Sequence, residues 1–137
     1  MATARNVALG SLAVLAGLAG ITGWALESGG VAVIETETPT GAPRRTHVWY
    51  AEPDGELWLE AGTPENPWFT DVQRTPFLRF ETEASEGRYA VRPIDDPSGH
   101  ERIRTLMREK YGLRDRWVAL LFDTSRSLAV RLVPLHE

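Results

Sequence analysis

Two short stretches concentrate the groups that can hold an anion, one of them beside an apolar wall. Gly41-Ala42-Pro43-Arg44-Arg45-Thr46 brings two guanidiniums and a hydroxyl to the start of a strand behind a tight loop. A guanidinium offers a planar fork of N–H donors that matches phosphate or carboxylate, so adjacent arginines fixed by a turn suit an anionic ligand. A solvated basic strand end would use the same residues. Gly62-Thr63-Pro64-Glu65-Asn66-Pro67-Trp68 leads into a helix whose first N–H groups lack intrahelical partners and whose dipole favours negative charge. Trp68 and Phe69 then either wall the site with apolar surface or pack into the core.

Other chemistries find no residues to carry them. The chain has no Gly-x-Ser-x-Gly elbow, no His-Glu-x-x-His pair and no Gly-x-x-x-x-Gly-Lys phosphate loop. Without cysteine it builds no thiolate zinc site, iron–sulfur cluster or cysteine nucleophile. Histidines 47, 100 and 136 are scattered and read as surface or locally bonded side chains, so no metal site is expected. A formal net charge of −4 argues against nucleic acid as a partner, since phosphate neutralisation needs a basic face.

The elements that must position these residues fit one domain, because 137 residues of ordinary composition, 42% hydrophobic and 25% charged, suffice for a single core. Val31 to Thr36 reads as a β-branched strand, and alternation through Arg45, His47 and Trp49 gives a second with two distinct faces. Pro53-Asp54-Gly55 turns the chain into a third strand, Glu56 to Ala61, with Leu57, Leu59 and Ala61 inward. Asn66 caps and Pro67 starts a two-turn helix that stops before Pro76. Phe77 to Thr82 and Arg88 to Pro93 form a hairpin. Ser98 and Glu101 form a capping box for a helix with an apolar stripe at Ile103, Leu106, Met107 and Tyr111. Asp115 opens a further helix, and Leu128 to Val133 is a closing strand. Six short strands with turns about every ten residues predict a mainly β, α+β fold built as a small six-stranded barrel over 31–137.

Residues 1–30 are read separately. Val7 to Leu26 carries no charged residue, a length that spans a bilayer core, and Trp24 sits where an interfacial aromatic would. This predicts a single-pass membrane anchor. Arg5 followed by an apolar run and by small Gly23 and Ala25 also fits an export signal removed by cleavage, and a buried helix is the third reading. Small residues four apart, such as Ala13 with Gly17, would let two such helices approach closely.

The loop Gly41 to Thr46, the turn Asp54-Gly55-Glu56-Leu57-Trp58, and Asn66-Pro67-Trp68-Phe69 through Thr75-Pro76 together resemble the deazaflavin-dependent nitroreductase family. That family lies within the pyridoxamine-phosphate-oxidase-like split β-barrel superfamily. The resemblance covers Val31 to Pro93, and Lys110-Tyr111-Gly112 and Arg131-Leu132-Val133-Pro134 are similar to the family's helix and last strand. It implies a barrel that binds a deazaflavin coenzyme or FMN, with Arg44, Arg45 and Thr46 at the phosphates and Gly62, Asn66, Pro67 and Trp68 beside the ring. The family's arginine in the following helix falls at Gln73, with Arg74 next to it. Where the family commonly carries Thr-Gly-Arg-Lys-Ser-Gly-Lys, this chain has Thr36-Glu37-Thr38-Pro39-Thr40-Gly41-Ala42, three cations fewer and one acid more. The implied activity is hydride transfer from reduced deazaflavin or flavin to a quinone or nitroaromatic acceptor. The alternative is a cofactor-free barrel that binds a ligand or partner at the membrane. Hydride chemistry would belong to the cofactor, which explains the lack of a catalytic constellation. Tyr50 and Tyr111 carry a group able to donate a proton, and pairing of split barrels implies a possible homodimer.

Overall fold

Period-two alternation produces six strands in the computed structural model, which describes the backbone of residues 2–27 and 30–136 and the side chains of residues 10–22 and 30–136. They are β1 (Val31–Glu37), β2 (Pro43–Ala51), β3 (Leu57–Ala61), β4 (Phe77–Glu81), β5 (Glu86–Ile94) and β6 (Leu128–Pro134). All pairings are antiparallel, and the sheet closes in the order β1-β2-β3-β6-β5-β4. Four α-helices accompany it: α1 (Ala2–Glu27), α2 (Pro67–Arg74), α3 (Pro97–Tyr111) and α4 (Leu113–Leu121). The expected barrel is therefore present, each expected strand overlapping an observed one.

Alternate residues fill the barrel. Ala32 and Ile34 of β1, Val48 of β2, and Leu57, Leu59 and Ala61 of β3 are buried, joined by Trp68, Phe69 and Val72 from α2. The helix thus acts as a plug in one end. On the outside, the stripe Ile103, Leu106, Met107 and Tyr111 of α3 packs over Ala51 and Ala129, with Trp49 and Trp58 at its margin. Trp49 stacks on Tyr111 with centroids 4.1 Å apart. The Tyr111 hydroxyl donates to the Gly30 carbonyl at 2.8 Å and accepts from the Tyr50 N–H at 3.1 Å. Burial pushes its pKa up, so this phenol serves as a strand lock and not as a proton source.

A second tie is ionic. Arg104 of α3 donates from one terminal nitrogen to both oxygens of Glu60 on β3, at 2.9 and 2.8 Å, and from the other to Asp115 on α4 at 2.7 and 2.8 Å. The chain's only lysine, Lys110, donates to the Tyr50 carbonyl at 2.7 Å and lies 3.2 Å from the centroid of the Tyr50 ring. These contacts fix α3 and α4 against the β2–β3 side of the barrel.

Three expectations are corrected. Helix α3 is capped by Asp96, whose carboxylate accepts from the Gly99 N–H at 2.7 Å and from the Ser98 hydroxyl at 2.6 Å. Pro97 can open the helix because its missing N–H costs nothing there, so the Ser98 capping box does not form. Asn66 occupies the N-cap of α2 but makes no side-chain cap bond. The membrane anchor is overturned as well: among the described residues, no helix is long and apolar enough to cross a membrane. Gly10, Gly17, Gly20, Ser11 and Thr22 dilute the apolar run of α1. That helix packs along α4, where the Trp117 indole donates to the Thr22 hydroxyl at 3.1 Å, and its Leu12, Val14 and Leu15 are exposed, unlike a buried helix. Arg5, Gly23, Trp24 and Ala25, on which the anchor and export readings leaned, have side chains outside the described residues.

Two measurements check this packing. A Cβ on Gly99 would stand 2.4 Å from the Ile94 carbonyl oxygen and 2.6 Å from Ile94 Cγ2, so Gly99→Ala should lower unfolding stability by about 1–3 kcal/mol in urea. Burial lowers the Lys110 pKa from 10.5 to about 8. Between those values the unfolded chain binds the extra proton, so this group makes stability rise with pH across that window. As the sole lysine, its ε-carbon resonance should titrate near 8 in the folded protein, and a midpoint near 10.5 would refute its enclosure.

Candidate functional site

The β2–β3 ladder is only two residue pairs long, Tyr50↔Leu59 and Ala51↔Trp58. Beyond it, β2 from Trp49 back to Pro43 follows β1, whereas Glu60 and Ala61 follow β6. After Ala61 the chain leaves the sheet and returns as α2, whose plug residues take the space a longer β3 would need. The barrel wall therefore splits. A cleft of about 270 Å³ lies in the split, lined by Thr46 to Trp49 of β2, Glu60 of β3, Asn66 and Trp68 at the start of α2, Val31 of β1 and Val118 of α4. That is the size of a ring system and too small for a whole dinucleotide-like molecule.

Charge differs between the two ends. Continuing the register places Glu60 opposite Trp49, at the crotch of the split. Arg44 lies five residues further along β2, about 17 Å at strand spacing and outside the cleft lining. There Asp71 of α2, 1% exposed, accepts from Arg44 Nε at 2.8 Å and from the Thr36 hydroxyl at 2.9 Å. Arg74 reaches the other Asp71 oxygen at 3.5 Å and the Glu37 carbonyl at 2.6 Å. Burial alone would raise the Asp71 pKa, but the hydrogen bonds from Arg44 and Thr36 outweigh it and hold the carboxyl below its usual value. Two guanidiniums on one carboxylate leave that cluster net positive. At the crotch the count is reversed, with two carboxylates on Arg104. Burial, opposed by the Arg104 guanidinium, raises the Glu60 pKa.

The residues singled out from sequence thus fall into three groups. Thr46, Asn66 and Trp68 line the cleft, and Arg44 and Arg74 converge on Asp71 outside that lining. Arg45 points to the outer face, 3.5 Å from Glu35 and 3.4 Å from Glu81. Gly62, Pro67 and Gln73 are exposed and do not line the cleft. Sequence reading missed Asp71, Glu60 and the Arg104–Asp115 pair. The available signal for Asp71 was a carboxylate three residues after Trp68, on the face of α2 that must be buried. A larger groove of about 850 Å³ runs along the outside of β1, β4 and β5, where Glu35, Glu37 and Glu86 meet Arg79 and Arg88. It gathers none of the arginines or aromatic residues singled out from sequence.

A family profile described as F420H(2)-dependent quinone reductase matches residues 12–133, and the chain belongs to that family. The family uses a deazaflavin, F420, so by family the chain is a deazaflavin-dependent reductase. A search of curated proteins finds no match. Among solved structures, a conserved hypothetical protein from Mycobacterium tuberculosis, Rv2991, is similar at TM-score 0.63 and 21% identity over 86% of this chain and 80% of its own. An F420 reductase is similar at TM-score 0.58 and 16% identity, over 81% and 90%. An F420-H2 dependent reductase, FDR-A, is similar at TM-score 0.57 and 15% identity, over 75% and 93%. At these identities the structures establish the fold. The residues present fit the ring of such a cofactor: the cleft is sized for a tricyclic system and is lined by Thr46, Asn66 and Trp68.

Asp71→Asn tests the cluster of Asp71, Arg44 and Arg74. Its carboxylate stabilises the fold above the ordinary aspartate value of 3.8 and loses that contribution as pH falls through its lower folded value. Arg44 and Arg74 remain partly hydrated, so the substitution should cost about 1–3 kcal/mol at neutral pH and flatten the acid limb of the stability curve. An unchanged acid limb would remove Asp71 as the hub.

Proposed function

We propose that the split between β2 and β3 holds the ring of a reduced deazaflavin, and that the protein directs its hydride to a quinone, with nitroaromatic compounds as second acceptors. The observation that carries this reading is the two-pair ladder, which opens a ring-sized slot lined by Thr46, Asn66 and Trp68. When bound, the reduced deazaflavin supplies a hydride; with one proton from solvent the quinone becomes a quinol. The chain's own part is placement. Thr46 and Asn66 offer hydrogen bonds to ring heteroatoms, and the buried Trp68 gives an apolar face that excludes water. Arg44 and Arg74 carry the net positive charge that attracts the anionic tail, while Asp71 fixes their position. Arg45, tied to Glu35 and Glu81, has a weaker claim on that tail. The reading assigns the site to residues 31–137.

The full chain should bind reduced and oxidised F420 in a fluorescence titration and catalyse oxidation of the reduced form by a naphthoquinone. Arg44→Ala should weaken binding about tenfold, the effect of losing one charged hydrogen bond, and Thr46→Val with Asn66→Ala should slow turnover. Tight FMN binding in place of F420 would change the cofactor. Binding of neither by folded protein would favour a barrel that binds another ligand without a cofactor.

A further inference from the structure

We propose that Glu60 recognises the ring at the crotch of the cleft, accepting a hydrogen bond from an imide or lactam N–H edge. The inference rests on the reading that a deazaflavin-type ring occupies the cleft, and it adds the orientation of that ring and a residue that selects it.

The cleft-lining carboxylate is unusual in its setting. Glu60 is 12% exposed in its side chain, and its partners Arg104 and Asp115 are 7% and 2% exposed. Of the three, Glu60 lines the cleft. A carboxylate has about four lone-pair positions. Arg104 takes one on each oxygen, which leaves room for a further donor on the cleft side. The charge count points the same way. Two carboxylates share one guanidinium, so the cluster carries an uncompensated negative charge in a place where charge is costly. An N–H donor from the ligand relieves that cost, and an anionic group there would increase it.

Orientation follows from the two ends together. The crotch takes a donor edge and refuses an anion, whereas Arg44, Arg74 and Asp71, outside the cleft lining and some 17 Å away along β2, form a net positive cluster. A ligand with an N–H edge at one end and phosphate at the other therefore enters ring first. Glu60 can be replaced without stranding a charge, because Arg104 and Asp115 remain a one-to-one pair joined by two hydrogen bonds.

The test uses the full chain and two probes without the phosphate tail, a 5-deazaflavin carrying only its ribityl group and the same molecule methylated at the imide nitrogen. Both are titrated by fluorescence, with near-ultraviolet circular dichroism to confirm that each variant is folded. Methylation should weaken binding to the native protein ten- to a hundredfold, the range for a hydrogen bond to a charged group. In Glu60→Leu the two probes should bind equally, and in Glu60→Gln, which keeps an acceptor for Arg104, the difference should shrink without vanishing. Equal binding of both probes by the native protein, or the same methylation penalty in native and Glu60→Leu proteins, overturns the role of Glu60 and leaves the proposed function standing. Failure of the native protein to bind either probe overturns both.

Discussion

The separation of β2 from β3 is the constraint on which everything else in this molecule depends. A closed six-stranded barrel has no edges, and that stability leaves no opening for a ligand. Here the closure is relaxed at one seam, where a two-pair ladder gives way to strands that follow different neighbours. The relaxation needs support from both sides. Inside, Trp68, Phe69 and Val72 of α2 fill the volume the missing pairs would have enclosed. Outside, α3 and α4 brace the seam through the Arg104 cluster, the Trp49–Tyr111 stack and the Tyr111 bonds to Gly30 and Tyr50. The slot persists because the residues around it are fixed by contacts on other elements.

The two buried acids do different work. Asp71 is outnumbered by arginines, so its hydrogen bonds overcome the cost of burial and it remains ionised. Glu60 is in the opposite position, sharing one arginine with Asp115, and burial prevails over the attraction. Breaking a buried pair is expensive because a charge is left without a partner. The fold thus ties the Asp71 cluster to the integrity of α2, and the crotch to the docking of α3 and α4. Electrostatics at the candidate site and stability of the barrel are coupled through the same side chains.

How much of this was legible in the sequence depended on the range of the interactions. Strands and helices were legible because alternation and helical spacing are local: Leu57, Leu59 and Ala61 point inward as their pattern requires, and the α3 stripe is core. The start of α3 was misplaced because Asp96 and Ser98 both suit a cap, and Pro97 between them decides in favour of the earlier one. The N-terminal run misled because the absence of charge, its length and Trp24 were weighed above its glycines and hydroxyls, which lower the mean hydropathy. In the candidate site, Thr46, Asn66 and Trp68 were visible as types at chemically suggestive positions. Glu60 and Asp71 were not, since a carboxylate becomes notable only once Arg104, or Arg44 and Arg74, are brought to it from up to 44 positions away.

The loop before β2 shows why local reading of charge is insufficient. Compared with the family pattern that it resembles, Thr36 to Ala42 has lost three cations and gained Glu37, which taken alone suggests a loop unable to hold an anionic tail. In three dimensions Glu37 contributes its backbone carbonyl to Arg74, and the helix brings that guanidinium beside Arg44 on the opposite side of Asp71. Part of the positive charge missing from the loop is thus supplied by α2. The local sum remains smaller than a loop of lysines and arginines would provide, and Asp71 makes it rigid. On the proposed reading, a cluster of this kind would offer fewer phosphate contacts in a more fixed geometry, and discrimination among ligands would shift from the tail toward the ring and the residues that meet it in the split.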